Sequence, residues 1–237
     1  MNNTVSLILA FLLGALTAFA IFYVRCKSGS QPKPFKAGGE DASKSDSLNL
    51  AINRLKPHFL NNILTTIYYL CDTDPQKAQA LAATFSEYLL NALEALKANE
   101  AVSFTWELGL IRNYLSLEKT RLEEKLNVDY DVDITDFKVP ALSVLMLVEN
   151  AVKQGIAGSD KSGTVTISTR RLAGGLTQIK VSDNGAKHDK LTGRAAEESK
   201  QDFDAVRRLL KQQYNGELEI EEIEGGGTAA IITMSPA

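Results

Sequence analysis

Two histidines occur in this 237-residue chain, and one of them stands where an imidazole could act as a nucleophile. His58 lies in Leu55-Lys56-Pro57-His58-Phe59-Leu60-Asn61-Asn62, within an amphipathic stretch whose apolar residues recur at helical spacing. A proline inside a helix removes a hydrogen bond and crowds the carbonyl four residues back, so a kink is expected at Pro57, opening the turn that carries His58. Asn61 and Asn62 follow at i+3 and i+4, where an amide can reach the ring and fix its tautomer. An imidazole that is neutral near pH 7 and held in one orientation suits a phosphoryl acceptor. The same residues fit a half-buried structural histidine on a bent helix equally well, and both readings stay open.

Three further places could carry chemistry. In Leu147-Val148-Glu149-Asn150-Ala151-Val152-Lys153-Gln154 an acid and an amide interrupt an apolar helix, and a core helix does not hold a carboxylate without a use for it. Asn150 could lend its carbonyl oxygen to Mg2+, Glu149 could take a proton or organise a water, and Lys153 could meet a phosphate. The second place is Val181-Ser182-Asp183-Asn184-Gly185. There Asp183 could accept the exocyclic amine of adenine, with Gly185 letting backbone pass close by. Asp-Asn-Gly is also an ordinary turn. The third, Glu224-Gly225-Gly226-Gly227-Thr228, offers a hydroxyl beside flexible backbone and reads equally as a plain hairpin turn.

The elements that must position these residues follow from periodicity. Ile52, Leu55, Phe59, Ile63, Ile67 and Leu70 form one stripe of a helix over 48–70, and Leu60, Leu64 and Cys71 form a second. Asp74-Pro75 is a start signal for a second helix through Leu81, Phe85, Tyr88, Leu89, Ala92 and Leu96. Two such helices cannot bury these faces alone, and a dimeric four-helix bundle would. A third helix is expected over 105–126, with Leu108, Ile111, Leu115 and Leu122 facing inward. Beyond it the period drops to two at 128–134, a half-buried strand. An apolar helix over 141–156, a hairpin of 164–171 with 176–182 across Ala173-Gly174-Gly175, a helix over 202–213 and closing strands 217–223 and 228–234 complete an α+β sandwich.

Val5 to Val24 is an uncharged apolar run long enough to cross a bilayer, followed at once by Arg25 and Lys27. The positive-inside rule then sets the amino terminus outside and the rest in the cytoplasm. Residues 27–46 read as a flexible linker rich in Ser, Gly, Pro and Lys. The two cysteines suggest no disulfide framework. The net charge of −3 without a basic block argues against a nucleic-acid partner.

From about Leu48 to Pro236 these pieces, in this order, resemble the sensor histidine kinases of the LytS/YehU type, whose catalytic domain is of the GHKL ATPase class. The most specific likenesses are Pro57-His58-Phe59-Leu60-Asn61-Asn62 and Val139-Pro140 followed by Leu147-Val148-Glu149-Asn150-Ala151. Glu107, Tyr114-Leu115, Glu118-Lys119 and Arg121 look like the linker-helix signature, and Asp183-Asn184-Gly185 and Gly227-Thr228 like nucleotide boxes. Hydropathy and composition assign a transmembrane anchor (1–26), a single span where the family has a multi-pass sensor, and a linker (27–46); the resemblance implies a helical dimerisation and phosphoacceptor region (47–126) and a Bergerat-type ATP-binding domain (127–237). It also implies ATP and Mg2+ as cofactors, His58 as phosphoacceptor oriented by Asn61 and Asn62, Asn150 as magnesium ligand, Glu149 as catalytic-domain acid and Asp183 as adenine partner. Lys153, Gly185, Gly227 and Thr228 would complete the nucleotide site, in a homodimer serving a response regulator, often one with a LytTR domain.

The chain departs from that pattern at several points. Gln154-Gly155 stands where the family has His-Gly, and Ala186-Lys187 follows Asp-Asn-Gly. Glu87 replaces an expected basic residue, and Glu197 to Phe203 contains none of the glycines of a phosphate-cradling lid. Two functions are therefore compared: an active membrane-anchored histidine kinase of a two-component system, and a catalytically degenerate homologue that dimerises or scaffolds.

Overall fold

The computed structural model describes residues 56–97, 101–158, 161–185 and 194–235, all within one compact unit, Asn49–Ala237. The expected membrane span and linker, Cys26 and His188 lie outside the described residues. Among the described residues no helix is long and apolar enough to cross a membrane.

The helical part begins with α1 (Pro57–Thr73) and α2 (Pro75–Lys97), joined at Asp74. Phe59, Ile63, Ile67 and Leu70 of the first expected stripe are buried, and Leu81, Phe85, Tyr88 and Ala92 meet them from α2. The turn chemistry is as read: Asp74 Oδ1 accepts from Lys77 N at 3.0 Å, a side-chain N-cap one residue before Pro75. Pro57, however, does not bend a continuing helix. Lys56 has φ 46° and ψ 87°, a left-handed conformation, so the helix opens at Pro57, whose missing N–H costs nothing at that position.

β1 (Ala101–Ser103) leads into α3 (Phe104–Leu122), where Ser103 Oγ accepts from Trp106 N as N-cap. Leu108, Ile111 and Leu115 are buried as expected, and so are Leu110, Tyr114 and Leu117. α3 is therefore enclosed on more than one side, in contact with both hairpin helices and with the next helix. β1 pairs antiparallel with β3 (Lys138–Pro140), a small clasp absent from the sequence reading.

Strand β2 (Leu126–Val132) starts a five-stranded sheet with β4 (Gly163–Arg171), β5 (Thr177–Asp183), β6 (Glu217–Glu222) and β7 (Thr228–Met234), in the order β2-β4-β5-β7-β6. β2 and β4 run parallel and the other neighbours antiparallel, so the sheet is mixed. Two helices pack beside it: α4 (Ser143–Asn150), which passes into a π-helical turn over Ala151–Ala157, and α5 (Arg194–Tyr214). The architecture is α+β, with helices gathered on a mixed sheet. α5 starts at Arg194 rather than at Asp202, so the glycine-less stretch Glu197–Phe203 is itself helix.

Candidate functional site

Period-two alternation decides the position of Asp183. Thr177, Ile179, Val181 and Asp183 share the buried face of β5, and Asp183 is 5% exposed at its end. Its Oδ1 accepts from Gly185 N at 3.0 Å, and its Oδ2 from Thr228 N at 3.3 Å. Glycines make this arrangement possible. A Cβ on Gly155 would lie 2.3 Å from Asp183 Oδ1, and one on Gly227 would lie 2.0 Å from Asp183 O. Gly227 also has φ +92°, a conformation that side chains disfavour. Asp183-Asn184-Gly185 and Gly227-Thr228 are thus two halves of one cradle around the buried Asp183 carboxylate.

Asn150 faces the same place. It lines a cavity of about 20 Å³ together with Gln154, Gly155, Asp183, Ser199, Phe203 and Thr228. That volume is about the size of one water molecule. Two buried polar atoms with no hydrogen-bond partner, Asn150 Nδ2 and Ser199 Oγ, belong to its lining. An orphaned buried amide is costly, and ligand-binding groups are one place where that cost is met. Asn150, Asp183 and Thr228 offer the mixture of amide, carboxylate and hydroxyl that a purine nucleotide needs, and Ser199 and Phe203 of α5 line the small space beside them. Among the described residues no group of three or more His, Cys, Asp or Glu could hold a metal ion, so a Mg2+ here would rest on Asn150 and on nucleotide phosphates.

Glu149 points the other way. One helical residue turns the direction by about 100°, and Glu149 faces the first turn of α1. Its Oε2 lies 2.7 Å from Lys56 Nζ, which also reaches Asp202 Oδ2 of α5 at 3.0 Å. Tyr88 Oη is 3.5 Å from Glu149 Oε1. Burial raises the Glu149 carboxyl above its ordinary range, against the opposing pull of Lys56. Burial by itself would lower the Lys56 ammonium, yet the two carboxylates outweigh it and hold its pKa well above normal. The lysine of this triad is therefore charged at neutral pH.

His58 is exposed on the adjoining turn because its neighbour is not. Phe59 is buried between Tyr88 and Tyr114, with ring centroids 5.4 and 5.1 Å away, and this anchor turns His58 outward. Asn62 Nδ2 lies 3.2 Å from His58 Nδ1, as the i+4 spacing implies. The engaged nitrogen is Nδ1, which leaves Nε2 without a partner among the described residues. Asn61, the other expected orienting residue, has no side-chain bond to the ring; its backbone carbonyl accepts from Thr65 Oγ1. His58 and Asn62 line a cavity of about 670 Å³, whose wall also includes Lys56, Arg121, Glu149 and Lys153. Lys153 is paired with Glu198 of α5, and Arg121 with Glu118.

Residues 47–126, which carry His58, match the histidine kinase family model. The sensor protein LytS of Staphylococcus saprophyticus is 33% identical over 134 residues, covering 56% of this chain and 22% of LytS. The sensor histidine kinase YpdA of Escherichia coli is 35% identical over 147 residues, covering 62% and 26% respectively. In these residues this chain is similar to sensor histidine kinases of the LytS type. YwpD of Bacillus subtilis is a further relative, 37% identical over 134 residues, which are 56% of this kinase-like chain and 48% of YwpD. The chain thus spans less than half the length of these relatives. The catalytic domain of the histidine kinase ThkA superposes with a TM-score of 0.44 at 15% identity, over 58% of this chain and 96% of that one.

Relative to its sequence signature, this sensor-kinase relative divides the expected site in two. Asn150, Asp183, Gly185, Gly227 and Thr228 come together around the small cavity, while His58, Asn62, Glu149 and Lys153 border the large one. Lys56, Ser199, Asp202 and Phe203 are part of these walls and went unnoticed in the sequence. Only the left-handed Lys56 could have left a trace, as a lysine where an N-cap acceptor is favoured.

Proposed function

We propose that the chain is a membrane-anchored sensor histidine kinase that autophosphorylates His58 from ATP and passes the phosphoryl group to a response regulator. The observation that carries this reading is the shared cavity: the ring with Nδ1 engaged and Nε2 unpartnered borders the same space as Glu149 and Lys153 of the nucleotide half. Bound ATP would supply the γ-phosphoryl group and Mg2+ would neutralise its charge. Asp183 would orient the base, Asn150 would meet the metal, and Lys153 would meet phosphate oxygens. Asn62 holds the ring. With its amide turned so that the carbonyl accepts from Nδ1–H, the Nε2 lone pair is ready for attack and the ring keeps its Nδ1 proton. In the transfer, the bond from γ-phosphorus to the bridging oxygen breaks, the Nε2–P bond forms and ADP departs.

Residues 47–126 serve as dimerisation and phosphoacceptor region and 127–237 as ATP-binding domain in this reading. Leu64 is 37% exposed and Leu90 66% exposed on the helical hairpin, an apolar strip suited to a homodimeric four-helix bundle. Val5 to Val24 anchors the chain in the bacterial inner membrane with the kinase part cytoplasmic. The response regulator would be of the LytTR class.

Incubation with γ-labelled ATP and Mg2+ tests the reading. Acid-labile label is expected on the native chain, none on His58→Ala, and at least tenfold less on Asn150→Ala. A native chain that takes no label sinks the catalytic assignment.

A specific observation favours the second reading, a non-catalytic scaffold: the cavity beside Asn150 and Asp183 measures only about 20 Å³. Phe203→Ala separates the two. If α5 plugs a functional site, nucleotide affinity measured by calorimetry rises at least severalfold while stability falls by about 3 kcal/mol. If the site is defunct, stability falls alone.

A further inference from the structure

The first turn of α1 is built against its own local preferences. An N-cap position favours a short acceptor side chain, and the positive end of the helix dipole disfavours a cation. Lys56 occupies that position with φ 46° and no side-chain cap. A left-handed non-glycine residue is strained and persists only where its surroundings hold it. Here the surroundings are two carboxylates from distant elements, Glu149 at the end of α4 and Asp202 in the middle of α5. Lys56 O meanwhile accepts the first helical bonds, from Phe59 N at 2.9 Å and Leu60 N at 3.4 Å. One residue thus fixes both the start of the helix and its attachment to the nucleotide half. His58 follows two positions later, on the same cavity wall as Lys56, and Glu149 adjoins Asn150 in sequence.

Resting on the reading of His58 as phosphoacceptor, we propose that Lys56 is a positioning residue for the transfer, its ion pairs with Glu149 and Asp202 setting the imidazole in register with the nucleotide-bearing helix. The contact fixes where the ring stands; it does not touch the reacting atoms. Phosphoryl transfer depends chiefly on such alignment, and a displacement of about 1 Å can lower a rate a hundredfold. Glu149, in turn, acts toward α1 through Lys56 and not toward the base pocket.

The test uses the full chain with Lys56→Met, Lys56→Arg and Asp202→Asn. Lys56→Met is expected to lower the autophosphorylation rate about tenfold or more while nucleotide affinity by calorimetry stays within about twofold. Lys56→Arg, which keeps a cation for both carboxylates, is expected to retain most of the rate. Asp202→Asn leaves the Glu149 pair and is expected to fall between. Lys56→Met labelling at the native rate, or faster, overturns the proposal, since the lysine would then be idle or a brake. Amide exchange supplies a readout that does not depend on activity: Phe59 and Leu60 should lose protection in Lys56→Met while α2 keeps its own. If the native chain takes no label but this local loss is seen, the clamp holds and the kinase reading fails. Unchanged protection overturns the clamp itself.

Discussion

Alanine in place of Gly227 is expected to destabilise the protein by about 3–5 kcal/mol and to abolish binding at Asp183. Two costs combine. The φ of +92° is strained for any side chain, and the new Cβ would meet the backbone oxygen of Asp183 at 2.0 Å, an atom that cannot swing aside. Gly155→Ala makes an informative contrast, because its Cβ would meet the carboxylate of Asp183 at 2.3 Å and a side chain can rotate. Its stability cost should be about 1–3 kcal/mol, yet displacing the carboxylate should weaken adenosine nucleotide binding at least tenfold. Urea unfolding and nucleotide calorimetry on both variants measure this. Native-like nucleotide binding by Gly155→Ala would show that Asp183 does not hold the base.

The second large effect is a dependence of stability on pH that traces to Glu107. This carboxyl is completely buried in α3. Its Oε1 accepts from Val144 N at 2.7 Å and Leu145 N at 3.1 Å, capping the N-terminus of α4, while Oε2 has no partner. Leu142, at the cap position, has φ 66° and no side-chain acceptor, so the cap has to come from another helix. Burial raises the Glu107 pKa to about 7 from 4.5, partly offset by those amides. Below about pH 4.5 folded and unfolded chains both carry the proton. As pH rises from there to about 7, the unfolded chain releases its proton first, and the folded state loses relative stability. The loss over this window is about 3 kcal/mol at about 1.4 kcal/mol per pH unit. Glu107→Gln keeps an oxygen for both amides without a titrating proton, and is expected to flatten the profile over this window. Chemical denaturation of the native chain and the variant at pH 5 and 7.5 reads it; identical slopes would remove Glu107 as the source.

Much of this was legible in the sequence because it is local or periodic. The stripe through Phe59, Ile63, Ile67 and Leu70, the hairpin across Gly174 and the last two strands need only spacing. His58 and Asn62 are likewise a local pair. What escaped has long-range causes. Lys56 bonds a residue 146 positions away. The clasp of β1 and β3 rests on strands of three residues, too short to show alternation. The early start of α5 was hidden because Glu197–Lys200 carries almost no apolar signal, and its burial of Ser199 and Phe203 depends on where Asn150 and Asp183 fall in space. Pro57 misled because a proline within a helix and a proline at its first turn leave the same mark in a sequence with a periodic stretch on both sides.

The two outer strands of the sheet share one property. β6 exposes Glu217, Glu219, Glu221 and Glu222, and β2, at the opposite margin, exposes Asp129 and Asp131. A second copy approaching either margin to extend the ladder would set carboxylate against carboxylate in a low-dielectric seam, with like charges opposed at every other position. Fibril-like growth is discouraged at both rims, so the sheet margins of the described residues resist end-to-end addition of further strands.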